Sequence, residues 1–173
     1  MQVSGNFEIR LTENEQPPSS GISVYEEDNY ELLVSPPQVV LPIIVHPVHL
    51  YTSLYDFSPF EMGSLRIYGN KILAVVVDVA KDPPCRNEWV SAALKHIFEY
   101  TNKIQAPALS LPLLGHYYGG LQADTCIRLI SQALLEHRGI LPPLVSLHMD
   151  RAYLELAHEL FTAAGLLQNK VFP

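Results

Sequence analysis

The chain has 173 residues, of which 48% are apolar and 17% charged, with a formal net charge of −7 and two cysteines. That length suits one globular domain, and the composition excludes a disordered chain. Residues 1–31 hold seven acids against Arg10 alone, which leaves the other 142 residues at −1. With no basic excess, neither duplex nucleic acid nor an anionic membrane surface is an expected partner. The longest apolar runs, 39–45 and 72–77, fall far short of the ~20 residues that a bilayer span needs. The first residues show neither the basic start nor the apolar stretch of a signal peptide. Cys85 and Cys126 make no disulfide framework, so a reducing, cytoplasmic setting is expected.

Residues 1–62 are rich in proline and acid and show little helical periodicity. Residues 6–11 read as an edge strand, and Gln16-Pro-Pro-Ser-Ser-Gly21 as a loop. Ile22–Tyr25 and Tyr30–Val34 flank Glu26-Glu-Asp-Asn29, the pattern of a hairpin with a polar tip, and the acidic 1–31 segment reads as a solvated face or, alternatively, a partner-binding strand or arm. Ser35-Pro-Pro37 breaks that second strand. Residues 38–45 are apolar and β-branched and read as a buried strand, although Pro42 interrupts it. Residues 53–60 read as loop with one short helix.

From residue 63 the elements alternate cleanly. Leu65–Tyr68, Gly69-Asn70 and Lys71–Val79 form strand, tight turn and strand. A helix begins at Asn87, with Trp89, Ala92, Ala93, His96, Ile97 and Tyr100 forming one stripe. Ala108–Leu113 is a strand, Gly115–Gly120 a glycine-bounded loop, and Ala123–His137 a helix with Cys126, Ile130, Ala133 and Leu134 on one face. Pro143–Met149 is a strand. Arg151–Ala164 is a helix stopped by Gly165. The order β-β-α-β-α-β-α after a β-rich lead predicts one α/β domain over residues 1–173, with parallel pairs in its sheet and helices on its faces.

The most informative stretch is Ala108-Leu-Ser-Leu-Pro-Leu-Leu-Gly-His-Tyr-Tyr-Gly-Gly-Leu-Gln-Ala123. A strand ends, glycines follow and a helix opens. Such a loop lies where α/β sheets bind ligands, and its backbone N–H groups suit a phosphate. The run from Leu111 to Leu121 resembles the second phosphate-binding loop of macro domains: an apolar strand, Pro, two residues, Gly-x-Gly, two residues, Gly. The order of elements over residues 61–165 resembles that family too. The resemblance implies a three-layer α/β/α fold with a mixed sheet. It also implies binding of ADP-ribose, a related nucleotide or an ADP-ribosylated protein. By resemblance the ligand-binding residues are Leu114, Gly115, His116, Tyr117, Tyr118, Gly119 and Gly120, wrapping the diphosphate and distal ribose. Two positions depart from the pattern: Tyr117 stands at the middle glycine and His116 at a residue that is usually small or hydroxylated. The family's glycine-aspartate step and asparagine-rich first loop are not identified in residues 1–62.

Three functions follow from this reading. The first is an ADP-ribose-binding module. The second is a protein-interaction module whose pocket is closed by Tyr117. The third is an ADP-ribosyl hydrolase using Asp78 or His116. Asp78 closes an apolar strand at the ligand-binding edge, where an acid can hold a ribose hydroxyl, act as a base or cap the next turn. Asp82 follows in the loop. Cys85, near a helix start, could pair with His116 as a nucleophile, but an unreactive cysteine is the better reading. Cys126 lies on an apolar stripe and reads as core. His46-Pro-Val-His49 has a two-histidine spacing without a third ligand, so no metal is expected, and no cofactor. Tyr51, Tyr55, Tyr117 and Tyr118 are candidates for base stacking or a partner surface.

Overall fold

The computed structural model describes residues 7–13, 20–31, 33 and 58–167. Among the described residues nine elements follow in chain order. These are β1 (Glu8–Thr12), β2 (Ile22–Asp28), β3 (Leu65–Tyr68), β4 (Lys71–Val77), α1 (Asn87–Lys103), β5 (Ala108–Leu111), α2 (Ala123–Glu136), β6 (Leu144–His148) and α3 (Arg151–Ala163). The strands form one six-stranded sheet in the order β1-β6-β5-β2-β4-β3. Only the β3–β4 pair is antiparallel, its turn made at Gly69 with φ +61°. Every strand of this sheet but β3 therefore delivers its carboxyl end to a single edge.

The apolar run at 72–77 explains the centre of this sheet. Every residue from Ile72 to Val77 is buried, as is all of β5, so both faces are covered there. Continuous apolar strands of this kind belong inside parallel sheets with cover on both sides. From β4 to β5 to β6 the chain advances in one direction across the sheet. Right-handed crossovers then put α1 and α2 side by side on one face. The three helices pack in a row, α1 on α2 and α2 on α3. The result is the mixed α/β fold that the alternation of elements predicts.

Two expectations need correction. The buried stripe of α1 is Val90, Ala93, Leu94, Ile97, Phe98 and Thr101, not the stripe through Trp89, His96 and Tyr100. Both stripes share Ala93 and Ile97, but Leu94 and Phe98 bury more apolar surface, and this turns the helix by about one residue. The hairpin around Glu26–Asn29 does not exist. β2 runs straight through Glu26, Glu27 and Asp28, and the turn comes at Asn29 and Tyr30. Nor do these acids form a solvated face, because all three are buried.

They tolerate burial because backbone amides meet them. Glu27 Oε1 accepts the N–H groups of Asp28 (2.9 Å) and Leu33 (2.8 Å), and Asp28 Oδ1 accepts that of Tyr30 (2.7 Å). A register shift between Glu27 and Asp28 marks a bulge against β4, the usual device for re-aiming side chains at a strand end.

The edge strand expected near residue 6 is β1 at the sheet margin, paired in parallel with β6. The expected strand at 38–45, most of the loop at 53–60, His46, His49, Tyr51 and Tyr55 lie outside the described residues. Among the described residues no helix is long and apolar enough to cross a membrane, and no cluster of histidine, cysteine or acid groups could hold a metal.

Candidate functional site

β5 ends at Leu111 because Pro112 has no amide for the ladder. Residues 112–122 then climb over the sheet edge to the start of α2. Inside this loop Gly115 has φ +86°, and a Cβ there would come within 2.9 Å of Val90 Cγ2 and 3.1 Å of Cys85 Sγ. Gly119 lies on the same thiol, so a side chain at either position would lift the loop off its floor. The floor is buried Cys85, whose thiol burial pushes up to about 12, with Glu26 adding to the effect. Cys85 is therefore a neutral packing group, and its Sγ–H donates weakly to Arg86 O (3.9 Å). Cys126 is wholly buried and likewise pushed up to about 12.

The loop amides point to one carboxylate. Tyr118 N–H donates to Glu26 Oε2 (2.9 Å) and Tyr117 N–H to Glu26 Oε1 (3.4 Å), with the Gly115 and His116 amides acting on the same group. Glu26 is 4% exposed. Burial raises its pKa above the usual carboxylate range, against the opposing pull of those amides. Among the described residues no lysine or arginine pairs with it.

Beside this contact a cleft of about 420 Å³ opens at the carboxyl ends of β2, β5 and β6. Tyr25, Glu26, Pro112, Tyr117, Tyr118 and His148 line it, with Val24 and Leu33 behind. Tyr117 and Tyr118 are 45% and 55% exposed, large aromatic surface for a loop above a cleft. Burial and the neighbouring Asp150 raise the Tyr117 phenol. His148 Nδ1 and Ser110 Oγ are hydrogen-bonded at 3.2 Å, which ties β6 to β5.

The residues singled out from the sequence divide between this cleft and its supports. Tyr117 and Tyr118 line the cleft, whereas Gly115 and Gly119 fit the loop to its floor. Leu114 is wholly buried, and Gly120 turns the backbone at φ +70°. His116 does not line the cleft. Its Nδ1–H donates to Leu121 O (2.8 Å), and its ring meets Tyr153 edge-on at 5.1 Å. Asp78 caps the turn after β4: its Oδ1 accepts Ala80 N–H (3.1 Å), and Lys81 Nζ stands 3.5 Å from Oδ2. Asp82 is exposed.

Two residues escape the sequence reading. One is Glu26, hidden because an acidic triplet resembles a turn. The other is Asn29, at the carboxyl end of β2, where the amide oxygen is buried without a hydrogen-bond partner among the described residues. The signal that could have exposed both is the apolar alternation of Ile22 and Val24, which continues as a strand into the acids.

No protein-family model matches the sequence, and no curated protein matches it in sequence. Solved structures do match in shape. A variant of the Oceanobacillus iheyensis macrodomain, determined with ADPR, superposes with a TM-score of 0.65 at 10% identity, covering 94% of each chain. The macro domain of ganglioside induced differentiation associated protein 2 gives 0.63 at 9% identity, covering 93% of this chain and 85% of that one. The macrodomain of Thermus aquaticus DarG gives 0.57 at 17% identity, covering 82% and 98%. These superpositions show that the chain has a diverged macrodomain fold.

Proposed function

We propose that the chain is a binding module for ADP-ribose or a related nucleoside diphosphate, free or attached to a protein. The observation that carries this reading is the cleft between Tyr25, Pro112, Tyr117, Tyr118 and His148, opening beside the 115–120 loop. Sheets of this type place ligands beyond the carboxyl ends of their strands. Exposed tyrosines offer faces for a base or ribose, and loop amides offer donors to a phosphate. The O. iheyensis relative, determined with ADPR, supports the same ligand class by fold.

Calorimetric titration with ADP-ribose and with adenosine tests it. Binding that weakens about tenfold in Tyr118→Ala, as expected for loss of an aromatic contact of 1–3 kcal/mol, sustains the reading. Absence of heat with both ligands at millimolar concentration overturns it.

A second reading, a protein-interaction module on the same fold, is favoured by one observation: Glu26 already takes the Tyr117 and Tyr118 amides. Hydrolysis by Asp78 or His116 draws no support from their placement, since neither lines the cleft.

A further inference from the structure

We propose that Glu26 is a specificity-determining residue of the cleft, a built-in carboxylate that holds the loop amides and so sets the affinity for any ligand bringing a phosphate there. The inference rests on the nucleotide-binding reading above and deepens it.

The geometry carries it. Glu26 lies near the carboxyl end of β2, lines the cleft, and engages Tyr118 N–H at 2.9 Å and Tyr117 N–H at 3.4 Å. A row of loop amides is an anion site. Here the anion is part of the chain. An incoming diphosphate meets donors already engaged and a like charge without a cationic partner among the described residues. The groups around the carboxylate are the phenols of Tyr25, Tyr117 and Tyr118, the imidazole of His148, and the thiols of Cys85 and Cys126. None of the phenols or thiols supplies positive charge near neutrality. A phosphate can take the amides only if Glu26 is protonated or turned aside. An uncharged nucleoside makes no such demand.

The test titrates wild type, Glu26→Gln and Glu26→Ala with ADP-ribose and with adenosine, between pH 5.5 and 8, where the diphosphate keeps its charge. Each variant is checked for a retained cooperative melt. The expected result is ADP-ribose affinity about tenfold or more higher in Glu26→Gln, because a like charge at contact distance is removed, with adenosine affinity unchanged. ADP-ribose affinity rises more steeply as pH falls in the wild type than in Glu26→Gln, where only imidazoles remain to gain charge. If Glu26→Gln fails to fold, Glu26→Ala carries the same comparison. Equal ADP-ribose affinity in wild type and variants, without pH dependence, overturns the inference and leaves the binding reading intact. Adenosine binding with no gain for ADP-ribose in any variant also overturns it. No binding of either probe by any of the three proteins overturns both.

Discussion

Gly119 rests directly on Cys85. A methyl group at position 119 would collide with the Cys85 side chain and come 2.6 Å from Gly115 O. The glycine therefore lets the 115–120 loop lie close to the sheet edge. Its role is one of clearance, and no ligand contact needs to be invoked for it.

Gly119→Ala is accordingly expected to destabilise the fold by about 1–3 kcal/mol, the usual cost of overpacking. The melting midpoint falls by several degrees in a scan. An unchanged midpoint would refute the close packing of loop on thiol. Larger substitutions such as Gly119→Glu disturb the loop itself, so a loss of binding in that variant reports on folding as much as on ligand contact.

The two thiols give a second prediction. Cys85 and Cys126 are buried, and each is pushed up to about 12 from an ordinary value of 9.0. In the native protein at pH 8 neither reacts rapidly with a thiol reagent, and both react in denaturant. Chemical denaturation adds the pH dependence. A folded-state pKa above the unfolded value gives stability that is complete below about pH 9 and lost as pH rises toward 12. Each thiol adds a slope of up to about 1.4 kcal/mol per pH unit in that window. Flat stability from pH 9 to 11 would contradict the burial.

Glu27 and Glu8 provide a contrast between two acids. Glu27 is fully buried and accepts the amides of Asp28 and Leu33, fastening the turn after β2. Glu27→Ala leaves those donors without their acceptor, and a loss of about 2 kcal/mol or more is expected in denaturant titration. Glu8 pairs with Arg10 at 2.7 Å with both side chains more than half exposed. Arg10→Ala is expected to change stability little, as exposed ion pairs do. Equal effects from the two variants would show that the turn does not depend on Glu27.

His116 makes a fourth case. Its Nδ1–H bond to Leu121 O and its edge-on contact with Tyr153 join the loop to α3. His116→Ala is expected to cost about 1–2 kcal/mol, from one hydrogen bond and one aromatic contact. The effect should read in thermal midpoint, and affinity for adenosine should stay near wild type because His116 does not line the cleft. A large loss of affinity with an unchanged midpoint would move His116 from support to ligand contact.

Local pattern determined much of this protein by itself. The first long helix starts at Asn87 as the sequence predicts, and Gly165 follows the last helix as its stop, whereas the strand expected to reach Leu113 ends at Leu111, before Pro112. The glycine-bounded loop between β5 and α2 was legible for the same reason, since glycine and proline act on φ and on the ladder whatever surrounds them. Tertiary structure alone decided the fate of residues 22–31. Three adjacent acids carry the local signature of a turn, and the amides of Tyr117, Tyr118, Asp28, Tyr30 and Leu33 help make their burial in a central strand tolerable. Those partners lie as far as 92 residues away along the chain, so no window of sequence contains the interaction that places Glu26 beside the cleft.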